Sequence, residues 1–277
     1  MAKQNGLSLR FWGVRGSIAC PGAAHQRYGG NTSCIEVRCG ERLLILDAGT
    51  GLRPLGDSLN CDESTDADIL LTHAHHDHIA GLPFFRPFFN AKNRFRIWAG
   101  HLYPDHNLHE VLCQFMAPPI FPVPPQIFSA QVTYRDFSAG ETLELEDGLK
   151  IRTAPLNHPN GATGYRIEYG GKSLCYITDT EHVPGQPDER ILDLIAGADL
   201  VIYDCSYTDE EFPCFVSWGH STWQEGMRLC KASGVDRLVV FHHDPGHDDD
   251  CMDKIASEVR ASCPRAIVAQ EGLSLDL

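Results

Sequence analysis

Short runs of apolar, often β-branched residues recur along the chain, and each of them ends in a polar residue. The runs are LLILD at 43–47, ADILLTH at 67–73, KSLCYITD at 172–179, ADLVIYD at 198–204 and DRLVVFH at 236–242. A continuous apolar run of this length is typical of a strand that is buried on both faces. The pattern therefore predicts five buried strands, with candidate chemical groups at their C-terminal ends.

Apolar residues at helical spacing occupy three intervals that follow or separate these strands, at 188–197, 221–233 and 250–262. Strands that are buried on both faces need helices against their outer sides. The sequence therefore predicts a layered α/β architecture, and we expect a single domain that covers residues 1–277.

The interval 83–130 has a different composition, rich in proline and phenylalanine, as in PFFRPFF and APPIFPVPPQIF. We expect this interval to be an irregular insertion that forms a lid or rim over one end of the sheets. Its phenylalanines could stack a nucleobase, although core packing is their expected role. The residues in question are Phe85, Phe88, Phe89, Phe121 and Phe128.

Composition and charge narrow the functional classes. The chain has 277 residues, 43% of them hydrophobic, and eleven cysteines without a CxxC pair, which we expect to be reduced thiols. There is no run of eighteen apolar residues, and the N-terminus lacks the apolar core of a signal peptide, so we expect a soluble, cytoplasmic protein that does not bind membranes. The formal net charge of -14 opposes binding of long nucleic acids and is easier to reconcile with a small anionic substrate.

The segment THAHHDHIAG at 72–81 contains four histidines and one aspartate within six consecutive positions. Ligands on alternate residues suit an extended or turning backbone, whereas ligands on a helix lie three or four residues apart. The cluster supplies the candidate metal ligands His73, His75, Asp77 and His78. Four ligands are too many for one catalytic ion that keeps an open position, so a binuclear site is the simplest interpretation. Later strand ends add the candidates His158, Asp179 and His242.

Several other histidines are weaker candidates. Side chains alternate between the two faces of a strand, so only one of the adjacent residues His242 and His243 should reach the site, and we expect it to be His242. His76 should point away from the metal because its neighbour His75 is turned toward it. We expect His247 to lie in a solvated turn. Exposed positions are expected for His101, His106 and His109.

The HxHxDH motif at 73–78, together with His158, Asp179 and His242, resembles the metallo-β-lactamase superfamily over nearly the whole chain. The resemblance implies a four-layer αβ/βα sandwich with two divalent metal ions at one edge of two packed sheets. Zinc and manganese are the expected ions, and the same set of nitrogen and oxygen ligands also accepts iron. By the resemblance, His73, His75 and His158 bind one ion, Asp77, His78 and His242 bind the other, and Asp179 bridges them.

Other segments indicate a branch of this superfamily. The final ligand is a histidine, where true lactamases often have cysteine. The segments GVRGS, YGGNTSC and LILDAGTGLR resemble those of transfer-RNA 3′-processing nucleases and phosphoribosyl cyclic phosphodiesterases. By the same resemblance, Asp47 braces the ligand loop, and Asp77 belongs to the catalytic residues.

The segment WGHSTW at 218–223 adds a candidate proton donor. His220 precedes a capping-box pattern, and a helix N-terminus is a ready phosphate site, so Ser221 and Thr222 are candidates for substrate binding. The resemblance implies that His220 is the general acid and that Asp204 orients it. A buried carboxylate beside the imidazole would also raise its pKa.

The expected function is therefore binuclear, metal-dependent hydrolysis of a small phosphodiester such as a cyclic nucleotide or cyclic phosphate. One alternative is a transfer-RNA 3′-end nuclease, which the negative charge and the absence of a basic, glycine-rich arm disfavour. Another is a thioester or lactone hydrolase, which needs the metals but no general acid at 220. The sequence leaves open the native metal, the physiological substrate and the oligomeric state, a homodimer included.

Overall fold

The computed structural model describes residues 6–277 and contains two seven-stranded sheets. The first sheet has the strand order β14-β1-β2-β3-β4-β5-β6, and the four strands from β3 to β6 run parallel. Its strands are β1 (Leu7–Gly13), β2 (Cys34–Cys39), β3 (Arg42–Leu46), β4 (Asp66–Leu71), β5 (Arg94–Ala99), β6 (Gln131–Asp136) and β14 (Ser274–Asp276).

The second sheet has the order β13-β12-β11-β10-β9-β8-β7, with β10 to β13 parallel and β7 to β10 antiparallel. Its strands are β7 (Thr142–Glu144), β8 (Lys150–Leu156), β9 (Ala162–Tyr169), β10 (Lys172–Ile177), β11 (Leu200–Asp204), β12 (Leu238–Phe241) and β13 (Ile267–Val268).

Helices cover the outer faces of both sheets. The α-helices are α1 (Leu52–Ser58), α2 (His76–Ile79), α3 (Leu108–Phe115), α4 (Glu189–Ile195), α5 (Trp223–Ala232) and α6 (Asp249–Ser262). Short 3₁₀ helices lie at Ala23–His25, Leu82–Phe84, Arg86–Phe89, Pro125–Ile127, Glu146–Gly148 and Phe212–Cys214. Within residues 6–277, no helix is both long enough and apolar enough to span a bilayer.

Three apolar clusters hold these layers together. The central cluster lies between the sheets and joins residues such as Phe11 and Leu44 of the first sheet to Ile202 of the second. A second cluster packs α4, α5 and α6 on the second sheet, and a third packs α1 and α3 on the first. The order helix, sheet, sheet, helix confirms the predicted four-layer αβ/βα sandwich, and the five predicted strands and three predicted helices are all present.

The interval 83–130 is not irregular throughout, as the composition suggested. Residues 94–99 form β5, which pairs in parallel with β4 and β6 inside the first sheet. The alternating burial of RFRIWA, with Phe95 and Ile97 in the core, is the ordinary pattern of a strand, but the proline- and phenylalanine-rich flanks obscured it. Phe85 and Phe88 are fully buried in the same core, as expected. A lid or rim role for the rest of the interval stays a prediction.

Candidate metal centre

The candidate ligands collect where the parallel strands of both sheets end. His73 lies two residues beyond the end of β4, Asp179 two residues beyond β10, and His242 directly after β12. The carboxyl ends of parallel strands meet at one edge of a sheet, which is where open α/β sheets bind ligands. The fold therefore brings residues that are far apart in the sequence to one edge of the sandwich.

The backbone turns sharply at three of these strand ends. Asp47, Asp179 and His242 have φ angles of 57°, 59° and 63°, in the left-handed region that is uncommon for residues other than glycine. Aspartate and histidine tolerate this conformation better than β-branched residues do. Such local strain clusters at functional sites, where the surrounding structure holds it in place.

Three histidines form the first ligand group, comprising His73, His75 and His158. One ligand atom from each lies within 4.8 Å of the others. The closest approach is 3.1 Å, between His158 Nε2 and His75 Nδ1. Three imidazoles this close to one another, with His73 fully buried, form a suitable set of ligands for one divalent ion.

The second group comprises Asp77, His78, Asp179 and His242, all of them buried. His78 Nε2 lies 3.2 Å from Asp77 Oδ2, and His242 Nε2 lies 3.5 Å from the same oxygen. This group mixes imidazole and carboxylate ligands, whereas the first group contains imidazoles only.

The Asp179 carboxylate lies between the two groups. Its Oδ2 is 3.6 Å from His73 Nε2 and 3.7 Å from His158 Nε2. Its Oδ1 is 3.2 Å from both His78 Nε2 and His242 Nε2. Each carboxylate oxygen therefore faces a different ligand group, which is the arrangement that a residue shared by two ions requires.

The histidine rings also meet the chemical requirements for binding metal. The Nε2 atoms of His73, His78 and His242 are buried and have no hydrogen-bond partner within the described residues. Buried polar atoms are almost always paired, so three unpartnered nitrogens directed at one small region fit a site for a cation. The opposite ring nitrogens are each held by a neighbouring side chain, as is usual for ligating histidines. Their contacts are Thr72 Oγ1 with His73 Nδ1 at 3.1 Å, Asp47 Oδ2 with His78 Nδ1 at 2.8 Å, and Ser206 Oγ with His242 Nδ1 at 3.0 Å.

At Asp179 and His73 the electrostatics favour the protonation states that metal binding needs. Burial alone would raise the pKa of Asp179, but the imidazoles of His242, His78 and His73 hold it well below its usual range, so the carboxylate is ionised. Burial lowers the pKa of His73 well below its ordinary value, which keeps that ring neutral. Ionised carboxylates and neutral imidazoles are the forms that bind metal ions.

Asp47 braces the ligand loop, as its position after β3 suggested. The fully buried carboxylate accepts hydrogen bonds from the Thr72 amide at 2.7 Å and from the Tyr176 hydroxyl at 2.8 Å. Its contact with His78 Nδ1 fixes the orientation of that ring. The aspartate thereby joins the end of β4 to the second sheet through Tyr176.

The glycine-rich segments near the N-terminus pack directly against the ligands. The Ser17 amide donates a hydrogen bond to Asp77 Oδ2 at 2.8 Å. A Cβ atom at Gly16 would lie 2.5 Å from the His242 ring, and one at Gly49 would lie 2.3 Å from the Asp77 carbonyl oxygen. The GVRGS and GTG motifs therefore allow two loops to approach the ligands more closely than any side chain permits.

His220 and Asp204 form a buried pair beside the ligand groups. His220 Nδ1 lies 3.0 Å from Asp204 Oδ2, and its ring stacks on His242 with the centroids 4.9 Å apart. Burial lowers the pKa of His220, but the carboxylates, Asp204 foremost, outweigh it and raise the pKa to about 9. Asp204 thus engages Nδ1 and not Nε2 of this ring.

The hydroxyls of Ser221 and Thr222 are engaged within the protein, and substrate binding at these two residues stays a prediction. Ser221 Oγ is fully buried and contacts Tyr203 Oη at 3.1 Å and His182 Nδ1 at 2.8 Å. Thr222 caps α5 by accepting from the Glu225 amide at 3.0 Å, and its hydroxyl donates to Asp209. The helix cap predicted here is present at Thr222, and both hydroxyls have partners within the protein.

The remaining histidines separate into three kinds of environment. His76 is exposed and packs edge-on against Phe115, away from the ligand groups. His243 is fully buried and donates from Nε2 to the Ala269 carbonyl at 2.9 Å, so it is His242 that joins the cluster. His247 is buried against Glu211 at 2.8 Å, where a solvated turn was expected, because the loop carrying it folds back onto the protein.

His101 is partly buried beside the ligand groups, so the exposed position expected for it is wrong. Its ring lies edge-on to His73 with the centroids 6.3 Å apart, and burial lowers its pKa to about 4. His101 lies two residues beyond the end of β5, just as His73 lies two residues beyond β4. His101 thus follows a strand end as His73 does, but β5 was not predicted from the sequence. His106 and His109 are exposed as expected.

Comparison with known proteins supports the same fold. A family model described as a β-lactamase superfamily domain matches residues 42–243. Ribonuclease Z of Prochlorococcus marinus (strain NATL1A) is 26% identical over 147 residues, which cover 52% of this chain and 43% of that protein. The match thus spans less than half the length of that relative.

Solved structures match over almost the full chain. The metallo-β-lactamase fold protein YhfI from Bacillus subtilis superposes with a TM-score of 0.74 at 19% identity, covering 99% of this chain and 100% of that chain. A diphosphatase from the PhnP family has a TM-score of 0.71 at 20% identity, covering 98% of both chains. At these identities the structural matches establish the metallo-β-lactamase fold alone.

Proposed function

The chain belongs to the β-lactamase superfamily, and we propose that it is a binuclear, metal-dependent hydrolase of small phosphodiesters, acting on a cyclic nucleotide or related cyclic phosphate. The observation that carries this proposal is the His220–Asp204 pair, with its 3.0 Å contact, beside two groups of metal ligands. The pair adds a proton donor to a site that already has ligands for two ions.

The ligand groups define how the ions would be held. His73, His75 and His158 would hold one ion, Asp77, His78 and His242 the other, and Asp179 both. Zinc or manganese fits this set of nitrogen and oxygen ligands, and iron is also compatible with it. When bound, two divalent ions supply Lewis-acid stabilisation of phosphoryl charge and a nucleophile at neutral pH.

His220 supplies what the leaving group needs. The Asp204 carboxylate raises the pKa of His220, which favours the protonated imidazole, and it fixes the ring through Nδ1. The opposite nitrogen can then give its proton to a departing ribose oxygen. Asp204 itself is held by hydrogen bonds from the Thr180 amide and the Ser206 hydroxyl, so the pair is rigid.

A proton donor of this kind favours phosphodiesters over thioesters. An alkoxide is a poor leaving group and departs slowly without a proton, whereas a thiolate departs readily without one. A thioester hydrolase would therefore have little use for His220. The names of two similar proteins, a diphosphatase and a ribonuclease, support cleavage of phosphate esters in this chain too.

Processing of transfer-RNA precursors is the second candidate, and the similarity to ribonuclease Z favours it. The formal net charge of -14 opposes it, because long RNA is bound mainly through cationic contacts with its phosphates. We therefore place a small substrate first.

A substrate panel tests the proposal. The metal-loaded protein, with its metal content measured, is assayed on bis-p-nitrophenyl phosphate, nucleoside cyclic phosphates, a thioester, a lactone and a transfer-RNA precursor. We expect the small phosphodiesters to have the highest kcat/KM. A higher kcat/KM for the thioester or the lactone would reject phosphodiester hydrolysis as the reaction. A higher kcat/KM for the transfer-RNA precursor would show that the substrate is RNA and not a small phosphodiester.

A further inference from the structure

A large cavity borders the ligand loop at His76, the residue between the ligand candidates His75 and Asp77. It has a volume of about 950 Å³, within the usual range for small-molecule sites, and we call it the aromatic cavity. Its lining includes the rings of Phe84, Phe115 and Phe121, together with Arg53, Asp57 and His76.

We propose that the aromatic cavity binds the nucleobase of a nucleoside phosphodiester whose phosphate lies at the metal centre. This inference rests on the proposed function and specifies the organic part of its substrate. The first argument is position. His76 lines the cavity, while its sequence neighbours His75 and Asp77 belong to the two ligand groups. Consecutive Cα atoms are about 3.8 Å apart, so one residue separates the cavity wall from the centre.

The second argument is the character of the cavity wall. Phe84 is 56% exposed, so its ring is accessible to a ligand. Its ring meets that of Phe121 at 5.9 Å and 79°, and the His76 ring meets that of Phe115 at 5.9 Å and 70°. Aromatic rings in such a cleft offer flat faces on which a planar base can stack.

The third argument is charge. Arg53 forms no ion pair or hydrogen bond through its side chain with any residue of the range 6–277, in a chain whose formal net charge is -14. Asp57, on the same helix, contacts Arg86 instead, at 3.4 Å. Together Arg53 and Asp57 offer donors and an acceptor, which match the edge of a nucleobase. An acyl chain would use the rings but would leave the Arg53 guanidinium without a partner as it covered that group.

Binding measurements test the cavity independently of catalysis. AMP and ribose 5-phosphate share the phosphate and differ in the base, so the ratio of their dissociation constants on the full-length, metal-loaded protein isolates the contribution of the base. We expect AMP to bind at least about fivefold more tightly, since stacking of one base on an aromatic side chain is worth at least that factor. Phe84→Ala and Arg53→Ala should each reduce this ratio severalfold.

Phe89→Ala is the matched control, because Phe89 is also an exposed aromatic residue, at 46%, but packs against Phe128 outside the aromatic cavity. This variant should keep the wild-type ratio. Equal binding of AMP and ribose 5-phosphate, or an unchanged ratio in both Phe84→Ala and Arg53→Ala, would overturn the inference. A single-stranded oligoribonucleotide that binds tenfold more tightly than AMP would overturn the assignment to a small nucleotide.

Hydrolysis of methyl p-nitrophenyl phosphate separates this inference from the function on which it rests. That substrate has no base, so its cleavage tests the phosphodiesterase activity alone. Cleavage without preferential AMP binding rejects only the nucleobase site. Preferential AMP binding without cleavage of any phosphodiester rejects the catalytic proposal and leaves the base-binding cavity in place.

Discussion

Replacement of His220 by alanine is the change that most clearly distinguishes phosphodiester cleavage from other reactions of this fold. The substitution removes an imidazole that lies 3.0 Å from Asp204 and has a pKa of about 9. If His220 protonates the leaving oxygen, its loss should slow hydrolysis of an alkyl or nucleoside phosphodiester by roughly 10²- to 10⁴-fold. This range corresponds to about 3 to 5 kcal/mol of transition-state stabilisation.

The protein should remain folded after this substitution. Asp204 is fully buried, but it keeps hydrogen bonds from the Thr180 amide at 3.2 Å, the Ser206 amide at 3.1 Å and the Ser206 hydroxyl at 2.9 Å. The cost of removing one partner is then about 1 to 3 kcal/mol of unfolding free energy, less than the total stability of a typical domain. His220→Gln is the matched variant, because its amide can still donate a hydrogen bond to Asp204 but cannot act as a general acid.

The assay compares two leaving groups on the same variants, with metal content and thermal unfolding measured in parallel. Methyl p-nitrophenyl phosphate releases p-nitrophenolate, which departs without a proton, so His220→Ala should slow its cleavage much less than that of a nucleoside cyclic phosphate. His220→Gln should show the same dependence on leaving group. Equal loss on both substrates together with the loss of one metal ion would refute the reasoning, because it would make His220 a ligand.

Four further substitutions test individual contacts. Asp179→Ala should reduce the metal content and abolish activity while circular dichroism stays that of the folded protein, since Asp179 faces both ligand groups; full retention of both ions would remove its bridging role. His76→Ala should leave the metal content measured by mass spectrometry unchanged, because the ring points away from the ligands, and lost metal would reverse that orientation. Asp204→Asn should reproduce the His220→Ala pattern more weakly and shift the alkaline limb of the pH–rate profile to lower pH, since it removes the carboxylate charge that contributes most to raising the pKa of His220; an unshifted limb would contradict this coupling. Gly16→Ala should lower the unfolding free energy by about 1 to 3 kcal/mol in denaturant titrations, because the added Cβ would lie 2.5 Å from the His242 ring. An unfolding free energy equal to that of the wild type would show that the loop can move away from the ring without cost.

The parts of the site that could be predicted are those set by local spacing. The HxHxDH motif and the polar residues after apolar runs predicted His73, Asp179 and His242 as candidate ligands. Side chains at the ends of parallel strands lie at one edge of the sheets, and this does not depend on the conformation of the loops. His101 escaped because β5 was not recognised between proline-rich flanks. An alternation of apolar and polar residues over only six positions is weak evidence for a strand by itself.

The details that could not be predicted depend on contacts between distant segments. Ser221 and Thr222 fit a helix-capping pattern, but only the fold shows that Tyr203 and Asp209 occupy their hydroxyls. The aromatic cavity likewise joins α1, α2 and the interval 83–130, and no short motif records that these meet. Tertiary packing decides whether a polar group stays available for a substrate.

A metal titration tests the central claim, two-metal hydrolysis of phosphodiesters, most directly. Metal-free protein is mixed with increasing equivalents of zinc or manganese, and the rate of bis-p-nitrophenyl phosphate hydrolysis is measured at each point. The seven clustered ligands predict that activity rises to a plateau at about two equivalents per chain, since this number exceeds what one tetrahedral ion uses. A plateau at one equivalent, or no phosphodiester hydrolysis at any metal content, would contradict the account.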